Sequence, residues 1–161
     1  MRYYVITGEP SGDVHASNLV AELKILDKNV DIRAWGGERL INQGVSLAKH
    51  INTTSFMGLW DVIKNYRSIR NNLDFCMQDI LAFNPDALIL IDYPGFNLKI
   101  ADFATSQSIK VFYYISPKVW AWNRKRILKI KQFVDHLLVI FPFEVDFYKK
   151  KSIEAIYVGN P

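Results

Sequence analysis

Asn-Pro-Asp-Ala-Leu-Ile-Leu-Ile-Asp, at residues 84–92, is the most informative part of this sequence for its fold. Proline disfavours helix in the residue before it, so a helix that precedes Pro85 is expected to end near residue 83. Residues 87–91 are all apolar, and a run of this length between turn signals indicates a strand buried on both faces. Such strands are typical of parallel sheets, whose two faces are covered by helices.

Strand-like and helix-like patterns alternate on both sides of this run. Apolar, β-rich segments predict further strands at 2–7, 30–35, 110–115, 136–140 and 155–158. Helical spacing predicts helices over 14–26, through Leu40 and Ile41, and over 56–83, 98–107, 124–133 and 143–150. The alternation predicts an α/β fold: a Rossmann-like open parallel sheet with helices on both faces. Ligands of such sheets bind at the carboxyl ends of the strands, so the loops after strands are the candidate functional segments.

Length and composition exclude several classes of protein. The chain has 161 residues and a net charge of +4, which predicts one domain with a substantial core. Its single cysteine, Cys76, and the lack of a basic-then-apolar leader predict a reducing, cytoplasmic compartment. No apolar run approaches the roughly 18 residues of a membrane-spanning helix, so contact with lipid is expected to be peripheral. The modest positive excess permits an anionic partner but gives no argument for nucleic acid.

The first candidate loop, GEPSGD at residues 8–13, follows the first strand. It lacks the third glycine of a dinucleotide fingerprint and the Lys-Ser/Thr of a P-loop. It offers two glycines that let the backbone approach a ligand, Gly8 and Gly12, together with a hydroxyl and two carboxylates, Ser11, Glu9 and Asp13. The alternative, that Ser11 and Asp13 only cap the following helix, is equally compatible with the sequence.

The second candidate loop begins with Asp92, directly after the apolar strand. Open α/β sheets place catalytic groups at this position, and burial there would raise the pKa of Asp92 and suit it to accept a proton. The alternative is that Asp92 caps the next helix. Asn97 is better spaced for capping, so we assign Asp92 a functional role.

The third candidate loop covers residues 116–126, again after a strand. Trp120 and Trp122 lie beside four basic residues, a combination that suits a sugar ring or a headgroup phosphate through stacking and charge-assisted hydrogen bonds. Equally, the two tryptophans would serve to cover an edge of the domain, with the basic residues exposed on the next helix.

Residues 56–70 form an amphipathic pattern, with Lys64, Arg67 and Arg70 along one side of an apolar face. Such a helix can lie in an anionic membrane surface. Taken alone, packing against its own sheet is the better interpretation.

No metal site is expected, because the three histidines lack ligand spacing and no pair of aspartates ends a strand. Cys76 falls within the long predicted helix and is expected to be packed.

Five motifs occur in order along the chain: GEPSGD, FMGLWDVI, LIDYPGFN, YYISPKVWAW and VIFPFE. Together they resemble the lipid-A-disaccharide synthase family of Gram-negative bacteria, over the whole chain. The resemblance implies a metal-independent, inverting glycosyltransferase of the GT-B architecture that uses no cofactor. It also implies transfer of 2,3-diacylglucosamine from its UDP derivative to 2,3-diacylglucosamine 1-phosphate, an acylated glucosamine phosphate acceptor.

The resemblance also assigns roles to individual residues. Asp92 matches the proposed catalytic base, which would deprotonate the 6-hydroxyl of the acceptor. Substrate binding is implied for Gly8, Glu9, Ser11, Gly12, Asp13, Asn97, Ser116, Trp120, Trp122 and Arg124. Contact with acyl chains or membrane is implied for Phe56, Met57, Leu59, Trp60, Lys64 and Arg67, which raises peripheral membrane contact above simple packing. Gly95 departs from the family pattern, since many members carry a second acid there.

The resemblance covers only the N-terminal half of the family. Because the chain ends just after a strand, we expect residues 1–161 to form the acceptor-side domain, with the UDP-binding domain that holds the UDP-sugar donor outside this chain. This half alone should lack turnover, and the protein is expected at the anionic inner face of the inner membrane. The alternatives are half of another GT-B transferase or UDP-sugar epimerase, or a noncatalytic membrane-surface binding module.

Overall fold

The computed structural model describes residues 1–53, 66–117 and 124–160. Its strands are β1 (Arg2–Thr7), β2 (Asp31–Gly36), β3 (Ser46–His50), β4 (Ala87–Ile91), β5 (Lys110–Tyr114), β6 (His136–Val139) and β7 (Ala155–Tyr157). Its α-helices are α1 (Pro10–Leu26), α2 (Glu38–Asn42), α3 (Tyr66–Phe83), α4 (Pro94–Ser106), α5 (Arg124–Phe133) and α6 (Pro142–Lys149). A short 3-10 helix covers Ile51–Thr53.

The described strands form one seven-stranded sheet in the order β3-β2-β1-β4-β5-β6-β7. Every neighbouring pair is parallel. This confirms the predicted α/β class and the Rossmann-like open parallel sheet. Strand β3 was not predicted from the sequence, and its pairing with β2 is irregular between Ala34 and Trp35.

Alternate residues of the central strands pack into two hydrophobic clusters, one on each face of the sheet. Ile6 and Leu90 belong to the larger cluster, which α3, α4, α5 and α6 cover. Val5 and Ile89 belong to the other, which α1 and α2 cover. A strand period of two residues requires this division. Every residue of β4 is at most 5% exposed, so the predicted burial of this strand on both faces is confirmed.

Proline begins three helices: Pro10 in α1, Pro94 in α4 and Pro142 in α6. It suits the first helical position because its φ angle is already helical and its missing N–H would have no partner there. As a result, α1 and α4 each begin four residues earlier than predicted. The predicted boundaries of α5 are confirmed, and α3 ends at Phe83, as the proline rule predicted. Residues 56–65 of the predicted long helix lie outside the described residues.

A partly buried polar cluster ties α3 to the sheet. The Arg33 guanidinium donates two hydrogen bonds of 2.7 Å to the carboxylate of Asp79, and the Tyr4 hydroxyl donates a third at 2.6 Å. Burial acts to raise the pKa of Asp79, but the hydrogen bonds from Arg33 and Tyr4 outweigh it and hold the pKa below its ordinary value. Cys76, on the same helix, is fully buried, and burial raises the pKa of its thiol. The prediction that Cys76 is packed is confirmed.

Within the described ranges, no helix combines the length and apolar character needed to cross a bilayer. The same ranges contain no group of three or more histidine, cysteine, aspartate or glutamate side chains placed to hold a metal ion.

Candidate functional site

The strand order reverses between β1 and β4, and this defines the position of the candidate site. From β1 the chain continues to β2 on one side, and from β4 it continues to β5 on the other. Thr7, the last residue of β1, is paired with Ile91, the last residue of β4. The first and second candidate loops therefore leave the sheet at adjacent positions. In open α/β sheets the crevice at such a reversal is where ligands bind.

Gly8 and Tyr93 bring these two loops into contact. A Cβ atom built on Gly8 would lie 2.3 Å from the Cγ atom of Tyr93, so the aromatic ring lies directly against the Gly8 backbone. Burial raises the pKa of the Tyr93 hydroxyl, and the nearby charge of Glu9 raises it further. Gly8 is required here for close approach, and Glu9 lies near the second loop.

Asp92 lies in a strained backbone that the surrounding residues hold in place. Asp92 and Tyr93 have φ angles of 46° and 47°, in the left-handed region that residues other than glycine rarely adopt. The Asp92 amide donates to the Tyr114 carbonyl at 3.1 Å. The Asp92 carbonyl accepts hydrogen bonds from Asn97 Nδ2 at 2.8 Å and from the Tyr113 hydroxyl at 2.5 Å. Such strain costs about 1–3 kcal/mol per residue and persists only where the surroundings impose it.

Asn97 acts on this site through Asp92. It lies in the first turn of α4, is fully buried, and donates from Nδ2 to the carbonyls of Ile91 and Asp92. The interpretation of Asn97 as a helix cap is wrong, because Tyr93 is the N-cap residue and no side chain caps the helix there. The missed boundary of α4 explains the error, since Pro94 already occupies the first helical position.

Asp13 connects α1 to the start of α2, and both helices cover the same face of the sheet. Its buried carboxylate accepts the backbone N–H of Gly37 at 2.7 Å and that of Arg39 at 3.0 Å, at the start of α2. The alternative that Ser11 and Asp13 cap α1 is wrong, because Glu9 is the N-cap residue and makes no side-chain cap bond. The exposed members of the first loop are Glu9, Pro10 and Ser11.

Gly12 is buried, and a Cβ atom built there would lie 2.0 Å from the Thr7 hydroxyl oxygen. The close approach of α1 to the end of β1 therefore depends on this glycine. Together with Asp13, it shapes the crevice and presents no exposed group to it.

The third loop is anchored by a buried polar cluster. The Ser116 hydroxyl lies 3.1 Å from Glu144 Oε1 and 2.8 Å from the Tyr148 hydroxyl. Glu144 also accepts the Phe141 N–H, at the start of α6. Burial raises the pKa of Tyr148 to about 12. Ser116, predicted to bind substrate, is 5% exposed and holds its loop against α6.

Several predicted residues lie outside the described ranges. They are Trp120 and Trp122 of the third loop, and Phe56, Met57, Leu59, Trp60 and Lys64 of the segment predicted to contact membrane. Arg124 begins α5, and Arg67 is exposed in the first turn of α3.

Residues with left-handed backbone form two groups. Among the described residues other than glycine, Asn84, Ser108 and Ser152 have positive φ angles and follow the ends of helices, where this conformation is common. Asp92, Tyr93 and Ile115 are at the carboxyl ends of β4 and β5. A β-branched residue at positive φ is unusual, and the Ile115 amide is tied to the Leu138 carbonyl at 3.1 Å. Strain at this edge therefore coincides with the candidate site.

Four residues of the site were missed by sequence reasoning: Tyr93, Tyr113, Glu144 and Tyr148. Glu144 had a local signal, because glutamate at the third position of a helix is typical of a capping box. The role of the Tyr113 hydroxyl had none, since its partner lies 21 residues away in sequence.

The family described as Lipid-A-disaccharide synthetase matches residues 3–161. A lipid-A-disaccharide synthase from Coxiella burnetii (strain Dugway 5J108-111) is 39% identical over 157 residues, which cover 98% of this chain and 42% of the relative. One from Geobacter metallireducens is 40% identical over 160 residues, with 99% and 42% covered. The chain thus spans about two fifths of the length of these curated relatives.

Solved structures support the fold alone. UDP-GlcNAc 2-epimerase from Neisseria meningitidis is 11% identical, with a TM-score of 0.72 over 99% of this chain and 47% of that one. MurG from Acinetobacter baumannii is 11% identical, with a TM-score of 0.63 over 100% of this chain and 46% of that one. The family match over nearly the whole sequence, with curated relatives near 40% identity, shows that the chain belongs to the lipid-A-disaccharide synthase family.

Proposed function

We propose that residues 1–161 are the acceptor-side domain of a two-domain inverting glycosyltransferase, with the UDP-binding domain outside this sequence. The enzyme transfers 2,3-diacylglucosamine from UDP-2,3-diacylglucosamine to 2,3-diacylglucosamine 1-phosphate. The products are the lipid A disaccharide 1-phosphate and UDP. Membership of the family supports this proposal, and so does the crevice at the reversal of strand order.

The observation that carries the proposal is the fixed position of Asp92. In the proposed reaction its carboxylate accepts the proton of the acceptor 6-hydroxyl while that oxygen attacks the anomeric carbon of the donor. The bond from this carbon to the UDP oxygen breaks on the opposite side, so the configuration inverts and UDP leaves. Asn97 and Tyr113 hold the Asp92 carbonyl by hydrogen bonds. Because the backbone of Asp92 is fixed in this way, its carboxylate can point in fewer directions. A general base needs such positioning before its pKa matters.

The other loops supply binding. Glu9 and Ser11 are both exposed, and the charge of Glu9 lies near Tyr93. Their oxygens are proposed to bond to hydroxyl groups of the acceptor. Trp120, Trp122 and Arg124 are proposed to contact its sugar and phosphate. Gly8, Gly12 and Asp13 shape the crevice, since each is buried against a neighbouring segment.

We place the protein at the inner face of the inner membrane, held peripherally. Support comes from the apolar and basic sequence at residues 56–64, together with the exposed Arg67. The helix α5 adds five basic residues and no acidic ones. Anionic headgroups attract such segments by about 1 kcal/mol per basic residue near the surface.

Substitution of Asp92 by asparagine tests the proposal. The isolated chain is expected to lack turnover because the donor site is outside it, so the assay uses the full-length enzyme. We expect Asp92→Asn to lower the rate of disaccharide formation about a hundredfold or more, because the amide cannot accept the proton. The unfolding midpoint should hardly change.

The matched control is Asp102→Asn, the same change at an exposed position of α4. It should leave both the rate and the unfolding midpoint near wild type. A rate for Asp92→Asn within a few fold of wild type would contradict the assignment of the base.

A further inference from the structure

A groove between α4 and α5 opens close to Asp92. It has a volume of about 190 Å³. Its uncharged lining is Pro94, Gly95 and Leu98, and its basic lining is Lys99, Lys125, Arg126 and Lys129. We call this the α4–α5 groove.

The charge lining the groove is of one sign. Among the described residues, no carboxylate lines it, and Lys99, Arg126 and Lys129 form no ion pair. The nearest carboxylate along α4, that of Asp102, forms no ion pair with Lys99. Cations held close together across two packed helices repel one another, and an anion bound between them removes that repulsion.

The groove adjoins the candidate site in two ways. Gly95, which lines the groove, is three residues after Asp92, so their Cα atoms are at most about 11 Å apart. Burial and the charge of Asp92 raise the pKa of Tyr113 well above its ordinary value, and the nearby charge of Arg126 acts in the opposite direction. Arg126 therefore lies near the tyrosine that holds the Asp92 carbonyl.

We propose that the α4–α5 groove binds the phosphate monoester of the sugar acceptor, with the attacking hydroxyl directed towards Asp92. This inference rests on the proposed function. A phosphate monoester carries close to two negative charges at neutral pH and three acceptor oxygens, which match several cations converging from two helices. Arginine suits it in particular, because its planar fork bonds two phosphate oxygens at once. The groove is concave and small, which fits one such group better than a flat lipid surface.

The first test removes charge from the groove. The probe is α-D-glucosamine 1-phosphate, a soluble compound with the sugar and phosphate but no acyl chains, titrated calorimetrically into the 161-residue chain. We expect the double variant Lys99→Gln/Lys129→Gln to bind at least about tenfold more weakly, because charge-assisted hydrogen bonds are lost. The control, Lys28→Gln/Lys131→Gln, makes the same charge change at exposed positions that do not line the groove and should bind within about twofold of wild type.

The second test reverses a charge in the groove. Lys129 is exposed on α5, so Lys129→Glu can be accommodated without moving its neighbours. We expect its affinity for glucosamine 1-phosphate to fall about tenfold or more, and that of Lys129→Arg, which keeps the charge, to stay within about twofold. A stable protein with weaker phosphate binding is an outcome that general destabilisation cannot produce.

Two results would overturn the proposal. One is equal affinity of wild type, Lys99→Gln/Lys129→Gln and Lys129→Glu for glucosamine 1-phosphate, including no binding by any of them. The other is loss of binding to phosphatidylglycerol vesicles in these variants while their affinity for the sugar phosphate is kept, which would assign the groove to the membrane surface.

Failure of the groove and failure of the proposed function give different results. Asp92→Asn should retain binding of glucosamine 1-phosphate while it lowers turnover of the full-length enzyme about a hundredfold or more. If the groove variants bind normally but Asp92→Asn is inactive, the groove assignment fails and the proposed function stands. If the groove variants lose binding but Asp92→Asn is fully active, the assigned base fails and the groove assignment stands.

Discussion

Substitution of Asn97 by aspartate exchanges the amide nitrogen for an oxygen at almost constant size. In the wild type, Nδ2 of Asn97 donates to the Asp92 carbonyl at 2.8 Å and to the Ile91 carbonyl at 3.3 Å, and the side chain is fully buried. An ionised carboxylate there would face two carbonyl oxygens and could donate to neither. A protonated carboxyl group could still donate one hydrogen bond, to the carbonyl of Asp92.

The expected loss of stability therefore depends on pH. Burial and the two carbonyls raise the pKa of the new carboxyl in the folded state above its unfolded value of about 3.9. A group with a raised folded pKa stabilises the fold fully below its unfolded pKa and loses that contribution as pH rises towards the folded pKa. Near pH 4, the variant should lose about 1–2 kcal/mol, since one or two hydrogen bonds are missing. If the pKa rises by about three units, a further loss of about 4 kcal/mol develops by pH 7.

The assay is urea unfolding of wild type and Asn97→Asp between pH 4 and pH 8. The quantity of interest is the difference between their free energies of unfolding at each pH, because most other titrating groups cancel in it. Asn71→Asp makes the same change at an exposed position of α3 and should show a small difference at every pH. A small, pH-independent difference for Asn97→Asp would refute the reasoning, because it would mean that the amide is not the donor holding the Asp92 carbonyl.

Two further predictions concern the loops around the site. Gly8→Ala should destabilise the fold by about 1–3 kcal/mol in urea unfolding, because the new Cβ atom would lie 2.3 Å from the Tyr93 ring. The control, Gly95→Ala, places a Cβ atom that meets nothing within 4 Å and should be neutral or slightly stabilising. Equal effects of the two substitutions would argue against the Gly8–Tyr93 contact. Ser116→Ala should lower the free energy of unfolding by about 1–3 kcal/mol, because it removes the hydroxyl between the buried Glu144 and Tyr148. The control, Ser106→Ala on the exposed side of α4, should lower it by about 0.5 kcal/mol or less. An unchanged free energy of unfolding for Ser116→Ala would show that the third loop does not depend on this cluster.

Local sequence was sufficient for most of the secondary structure. The apolar run at 87–91 predicted a strand buried on both faces, because a strand between two layers of helices has no solvent-facing side and is apolar at every position. The pattern at 124–133 predicted α5 with its correct bounds. Strand β3 was missed because its residues, Ser46–His50, are only partly buried at the edge of the sheet and lack an apolar signal. The starts of α1 and α4 were missed although Pro10 and Pro94 mark them.

The sequence by itself also predicted which loops lie together at the candidate site, because the loops after parallel strands must lie along one edge of the sheet. What only the tertiary structure decided is the role of each side chain within those loops. Asp13 is held by the N–H groups of Gly37 and Arg39, and the Asp92 carbonyl is held by Tyr113. Each partner lies more than 20 residues away in sequence and comes within reach only through the order and register of the strands. No local pattern carries that information, because a hydrogen bond depends on where two atoms lie in space, not on their separation along the chain.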